Sequence, residues 1–451
     1  MALSGWTTLT LEVTTPLFNG GADPDGEAGF RPVTEPGVRV ASLRGAMRFW
    51  FRALAGTVAG PDLALLARME EAVFGGPQAA SPVKMRISSQ SPASRNITPK
   101  FIQVPGRPGG AGRHAGSGRS APGAGRGLSQ GRDDGKWLIY LLGQGLADAA
   151  ARELRRSFVE PGKGIAVDFR LSGNEAVDSL AIASLWLLCA YGGLGARTRR
   201  GFGGLAIIGA TGPLPGEWTP ESVLSPGLDH FQGLTCLWPQ SQMTLWQLYL
   251  TDLPGVEVPE PGGEEAWTTR PSYPVLSRRW APAALRQGGN PEPDWTRVLG
   301  YAGEQYRWFR AQEDAPGVPY RPQIKTPEWR NVTGRGDNRF ALGALGLPIV
   351  FKKEGPTVHA DHMERGKPVP LRRASPLWLR AVSDERKRWR LFSYAFQAEF
   401  LPASARVHLW PRGTRQGQEM DVTSDDLDDR TGIWIKEMRE GTSFARGREL
   451  W

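Results

Sequence analysis

The stretch Gly192-Gly193-Leu194-Gly195-Ala196-Arg197-Thr198-Arg199-Arg200-Gly201-Phe202-Gly203-Gly204 follows directly on Asn174 to Tyr191, a run apolar nearly all round that reads as a buried helix. Glycine tolerates φ > 0 and lets main-chain N–H groups approach an anion. Arg197, Arg199 and Arg200 add fork-shaped donors that match phosphate oxygens, so the chemistry points to nucleic acid. A helix C-cap and turn accounts for Gly192 and Gly193 but not for the arginines or the later glycines. No Gly-Lys-Ser or Gly-Lys-Thr closes the loop, and it follows its helix rather than preceding it, which argues against a nucleoside triphosphate site.

Outward from this loop, Leu205 to Ile208 and Ile165 to Leu171 predict strands on either side of the helix. Near the start, Thr7, Leu9, Leu11 and Val13 alternate as one face of a strand. Asn19 to Gly37 reads as a loop, and Ser42 as the N-cap of a helix running to about Ala55, with Leu43, Met47, Trp50 and Leu54 inward. A second helix over Leu63 to Val73 ends at Gly75-Gly76, and Val83 to Ser88 is a strand. Trp137 to Leu142 predicts a strand and Ala147 to Phe158 a helix. The order β-α-β…β-α-β describes a ferredoxin-like unit within an α+β chain.

Arg44, Arg48 and Arg52 stand four apart on the first of these helices. Stacked guanidiniums repel unless an anion neutralises them. The stripe reads either as a phosphate-facing edge or as a solvated face paired with carboxylates from elsewhere in the fold. Residues 105–135 carry five arginines among Gly, Ser, Ala and Pro and read as a flexible insertion, either draped on nucleic acid or without a partner. Residues 1–212 therefore form a first domain and 213–229 a Pro/Gly/Ser-rich linker. Residues 230–451 form a second, elaborated domain with strands at Met243 to Leu253, Leu377 to Val382 and Leu391 to Phe400 and a helix at Asp294 to Gln312. Ile433-Trp434-Ile435 reads as a short strand or docking segment.

With 451 residues, a net charge of +9 and a pI near 9.7, the chain favours a polyanionic partner. A coding bias toward Arg, Ala, Gly and Pro would raise the charge without any partner, so the placement of the arginines is the stronger signal. Cys189 and Cys236 sit in apolar settings, read as buried thiols, and leave no disulfide framework. No signal peptide or long apolar run is evident, which implies a soluble, cytoplasmic protein with no membrane partner. His359-Ala-Asp-His362 would offer two metal ligands on a helix turn, but the flanking Gly and Pro argue for a loop, and no metal, cofactor or catalytic residue is assigned.

The glycine-arginine loop resembles the mark of the RAMP superfamily of CRISPR proteins, and within it the first-subunit family of the type III-B Cmr effector complex. The matching elements are Thr15 to Gly21, Ser42 to Trp50, Glu71 to Gly75 and Gly193 to Gly203 in the first half, with Leu345 to Pro348 and Arg372 to Leu377 in the second. The resemblance implies two ferredoxin-like RAMP domains with large insertions. It also implies a non-catalytic subunit that caps the filament near the 3′ end of the guide RNA, beside other RAMP subunits, and supports capture of a target RNA. On that basis Ser42, Arg44, Arg48 and Arg52 would contact RNA from one wall. Gly193, Gly195, Arg197, Arg199, Arg200, Gly201 and Gly203 would do so from the other, and Arg372 with Arg373 would form a third group. The alternative is a metal-independent RAMP endoribonuclease that processes guide precursors, although no histidine precedes His114.

Overall fold

A computed structural model describes residues 5–19, 37–103, 133–225, 240–259, 267–286, 290–310, 331, 337–351, 355–384, 386–410 and 417–439. The expected insertion lies almost wholly outside these residues, as do Cys236, His114 and His230.

The first half runs β1 (Thr7–Val13), α1 (Val40–Ala59), α2 (Leu63–Phe74), β2 (Lys84–Gln90), α3 (Asp134–Leu142), β3 (Ala147–Asp148), β4 (Glu153–Leu154), β5 (Gly164–Arg170), α4 (Glu175–Ala190) and β6 (Leu205–Thr211). β2, β5, β1 and β6 lie side by side in that order, all antiparallel. This is the ferredoxin-like arrangement, two split β-α-β passages with α2 and the α3–β4 region inserted. Alternation in β1 buries Thr7, Leu9, Leu11 and Val13 on one face. Helix α4 is capped by Asn174, which accepts from the Val177 amide. It is apolar all round because it is enclosed by α1, α2, α5 (Gln240–Thr251) and β6.

Several expectations are corrected here. Trp137 to Leu142 belongs to helix α3, not a strand. Asp133 caps it by accepting from the Lys136 amide, Gly143 ends it, and its apolar face packs on α6 (Trp295–Phe309). The region expected as a helix at 147–158 holds the short β3–β4 hairpin, where Asp148 accepts from the Ala150 and Ala151 amides and Arg152 adopts φ 53. Met243 to Leu253 is not a strand. Most of it lies in α5, packed on α4 and α1. Short apolar runs carry no decisive period, and contacts distant in sequence set their conformation. Ser42 is not an N-cap, because α1 already begins at Val40, after Arg39.

The second half continues with α5, β7 (Ala283–Leu285), α6, β8 (Ile349–Val350), β9 (Thr357–Glu364), β10 (Lys367–Leu371), β11 (Leu377–Ser383), β12 (Trp389–Ala395), β13 (Ala405–Trp410), β14 (Gln418–Met420) and α7 (Ser424–Arg439). Ile433 to Ile435 lies inside α7, and His359 to His362 lies in β9 rather than in a loop. One sheet orders β10-β9-β13-β14 with β8 on β9, and the other orders β11-β12-β7. Helices α6 and α7 both contact this three-stranded sheet. The path β7-α6-β11-β12-α7 thus has ferredoxin-like order, without a fourth strand among the described residues.

Both faces of the β11–β12 pair are buried. Leu377, Leu379, Leu391 and Ala395 share a core with α6 and α7, whereas Trp378, Val382, Phe392 and Tyr394 share one with α1 and α4. The two halves therefore meet through a continuous interior, and residues 213–225 of the expected linker also dock: Trp218 Nε1 donates to Ser179 and Trp186 Nε1 to Leu224. At the seam Arg380, only 6 % exposed, donates to the carbonyls of Gly192 and Cys189, and the Tyr394 hydroxyl donates to the Tyr191 carbonyl at 2.7 Å. A guanidinium at the negative end of α4 offsets its own burial, which still holds the Arg380 pKa below its ordinary value. The second half thereby fixes the point at which the glycine-arginine loop leaves its helix.

Candidate nucleic-acid interface

Between the two halves lies an open groove of about 670 Å³, walled by Arg197 to Arg200, Arg310, residues 345–350 and Arg372 to Ser375. Among the described residues, six arginines line it and no carboxylate does. The Arg199 Nη1 donates to the Ser375 carbonyl at 2.7 Å, and its guanidinium lies 5.2 Å from the Trp378 ring centre. Arg200 stacks 4.1 Å from the Tyr306 ring centre. Arg197 adopts φ 64 and rests against Gly143, the residue that ends α3. Arg200 Nη1 and Arg373 Nε are buried without a hydrogen-bond partner among the described residues.

Burial, reinforced by the neighbouring Arg373 and Arg200 charges, lowers the Arg199 pKa to about 10. Burial also lowers the pKa of Arg197 and Arg373. Crowded like charges with unfilled donors are chemically able to bind an anion. The groove unites two groups that the sequence kept apart, Arg197-Arg199-Arg200 and Arg372-Arg373. Arg310 at the end of α6 was not foreseen, because an isolated arginine after an amphipathic helix carries no signal of its own.

The glycines play a different part from the one expected. A Cβ on Gly203 (φ +70) would stand 2.0 Å from the Leu194 carbonyl oxygen, and one on Gly195 (φ +87) 2.4 Å from that of Phe18. Gly201 and Gly203 are buried, with amides given to the Thr198 and Pro16 carbonyls. Both residues therefore fold the loop tightly against itself rather than cradle a ligand. Gly193 and Gly195 do line a smaller pocket of about 400 Å³, which shares Thr198 and Arg199 with the groove and also admits Ser42.

The helical arginine stripe faces elsewhere. At 3.6 residues per turn, Arg44, Arg48 and Arg52 lie about 90–170° around α1 from the mean direction of the pocket-facing Ser42, Ala46 and Phe49. Glu70 of α2 binds Arg48 at 3.1 Å and Arg52 at 2.8 Å, and Arg48 also donates to the Phe74 and Gly75 carbonyls that end α2. The carboxylate-paired reading therefore holds for Arg48 and Arg52, and their charge stabilises the α1–α2 contact. Changing both to glutamine is expected to leave RNA affinity within about twofold and the salt slope unchanged. It should lower stability by about 1 kcal/mol, as measured by denaturant titration.

His359 and His362, three apart on a strand, point to opposite faces and cannot share a ligand. His359 and His408 lie opposite each other in the β9–β13 register, with Asp361 3.9 Å and 3.5 Å away, respectively. Among the described residues no cluster of His, Cys, Asp or Glu is arranged to hold a metal, and no helix is long and apolar enough to cross a membrane.

The sequence profile of the RAMP superfamily matches residues 10–206, the span of the first sheet and the glycine-arginine loop. The chain is 31% identical over 180 residues to CRISPR system Cmr subunit Cmr1-1 of Pyrococcus furiosus, covering 39% of this chain and 42% of that protein. It thus spans less than half the length of that relative. It is 28% identical over 209 residues to Cmr subunit Cmr1-2 of the same organism, covering 44% of this chain and 92% of the relative. The crystal structure of Cmr1 from Pyrococcus furiosus in its apo form aligns with 95% of this chain and 96% of its own, at 21% identity and a TM-score of 0.48. Over residues 10–206, somewhat less than half of its length, the chain matches the RAMP superfamily, and it is similar in sequence to two proteins named as Cmr subunits.

Proposed function

We propose that this chain is a non-catalytic RNA-binding subunit of a type III-B CRISPR effector complex. It caps the RAMP filament near the 3′ end of the guide RNA and supports target RNA capture. The observation that carries this reading is the open groove lined, among the described residues, by six arginines and no carboxylate. Similarity to two proteins named as Cmr subunits supplies the CRISPR context. The second half fits the same reading as an elaborated copy of the first ferredoxin-like unit, so that the groove lies where the two copies meet. The protein holds backbone while base pairing reads sequence.

Among the described residues, the groove lining contains no histidine, tyrosine or acid placed to act as a general base on a 2′-hydroxyl. Purified protein incubated with guide-repeat RNA in chelator is expected to form a complex that weakens with added salt and returns the RNA intact. Specific cut products would replace this reading with the endoribonuclease. Absence of any salt-dependent complex would remove RNA binding altogether.

A further inference from the structure

The 400 Å³ pocket beside the arginine groove is chemically unlike it. Phe49 of α1 and Trp378 of β11 form its aromatic wall, and Asn19, Ser42 and the backbone of Gly193 and Gly195 supply polar edges. The wall is held rigidly. Trp378 stacks on Tyr394 with ring centres 5.6 Å apart and planes 13° apart, and Phe49 meets Trp378 at 6.0 Å and the buried Trp50 edge-on at 5.5 Å. Phe49 is only half-buried although every large aromatic around it is enclosed, so part of its ring faces the pocket. Its volume falls within the range of small-molecule sites, about 300–1,000 Å³.

Thr198 and Arg199 belong to both cavities, so a phosphate held by Arg199 places its own nucleotide at the pocket mouth. Resting on the RNA-binding reading above, we infer that the pocket takes one unpaired base of the bound strand, which lies against Phe49 while its phosphate sits among the groove arginines. Aromatic faces accept any base, and the polar rim of Asn19, Ser42 and the glycine backbone offers donors and acceptors to the base edge. A base removed from the stack would set the register of the strand along the groove. An aliphatic occupant is disfavoured because the adjoining wall is cationic.

The test uses the full chain with single-stranded RNA carrying 2-aminopurine at successive positions, and an abasic strand of equal length. In the wild type, fluorescence should be quenched at one position only. Phe49→Leu should abolish that quenching and weaken binding of the base-bearing strand about tenfold, leaving abasic-strand affinity and salt slope unaltered. Phe49→Tyr, which keeps the aromatic face, should restore both, and this separates stacking from a loss of folding. If RNA binds with the expected salt dependence but Phe49→Leu retains the quenching and affinity, the pocket is not a base site and the groove stands. If neither strand binds the wild type, the RNA reading itself fails.

Discussion

Replacing Arg199, Arg200 and Arg373 together with glutamine is expected to weaken single-stranded RNA binding by about a hundredfold at moderate salt. The slope of log affinity against log salt should flatten by about 2, since each lost phosphate contact removes about 0.7 for single strands. Among the described residues, these side chains line a groove without carboxylates, and Arg200 Nη1 and Arg373 Nε have no hydrogen-bond partner. Two of the three also have pKa values lowered by burial. Groups recruited for stability would be neutralised internally, as Arg48 and Arg52 are by Glu70. The triple variant should therefore unfold at the same or a higher denaturant concentration than the wild type while RNA binding collapses.

The pH dependence has a definite sign. Arg199 is cationic below a folded pKa of about 10 and ordinary when unfolded, so burial penalises the folded state fully below that value. As pH rises through about 10 the folded chain gains relative stability, whereas the RNA, which needs the proton, is released. An unchanged salt slope in the triple variant would remove the groove as the phosphate site.

Gly203→Ala is expected to cost about 3–5 kcal/mol of stability, the largest single-residue effect on the fold proposed for this chain. Its φ is +70, and the added methyl would sit 2.0 Å from the Leu194 carbonyl oxygen. Neither strand of the loop can retreat. The Leu194 amide donates to the Gly203 carbonyl at 2.9 Å, and the Gly203 amide donates to the Pro16 carbonyl at 2.9 Å. Gly45→Ala provides the contrast, since nothing lies within 4 Å of a Cβ there. In an exposed turn of α1 that change should stabilise by about 0.5–1 kcal/mol. Denaturant unfolding of both variants decides the matter: a Gly203→Ala loss no larger than about 1 kcal/mol would mean the loop is not folded as described.

Local pattern made the first ferredoxin-like unit legible. Alternation in β1, the apolar run that forms α4 and the glycines ending α2 each reported a physical constraint confined to a few neighbouring residues. Trp137 to Leu142 and Met243 to Leu253 were misread because a short apolar run buries equally well as helix or strand, and its surroundings come from elsewhere in the chain. The arginine stripe on α1 was legible as a face, but its partner Glu70 lies on another helix, and periodicity says nothing about what a face meets. The arginines of the glycine loop and Arg372-Arg373 were both readable as charge. Their meeting in one groove depends on β11 pairing beside the loop, where the Leu379 amide donates to the Arg199 carbonyl at 3.2 Å. The aromatic pocket left no trace at all, since Phe49 and Trp378 are 329 positions apart and each alone resembles an ordinary interior residue.

The grip of Arg380 and Tyr394 on the carbonyls of Cys189, Tyr191 and Gly192 makes each half depend on the other's sequence. Modular exchange of either half between relatives must preserve this match of three acceptors to one guanidinium and one phenol. Crossovers that break it would produce hybrids whose glycine-arginine loop is misplaced even where both parts fold.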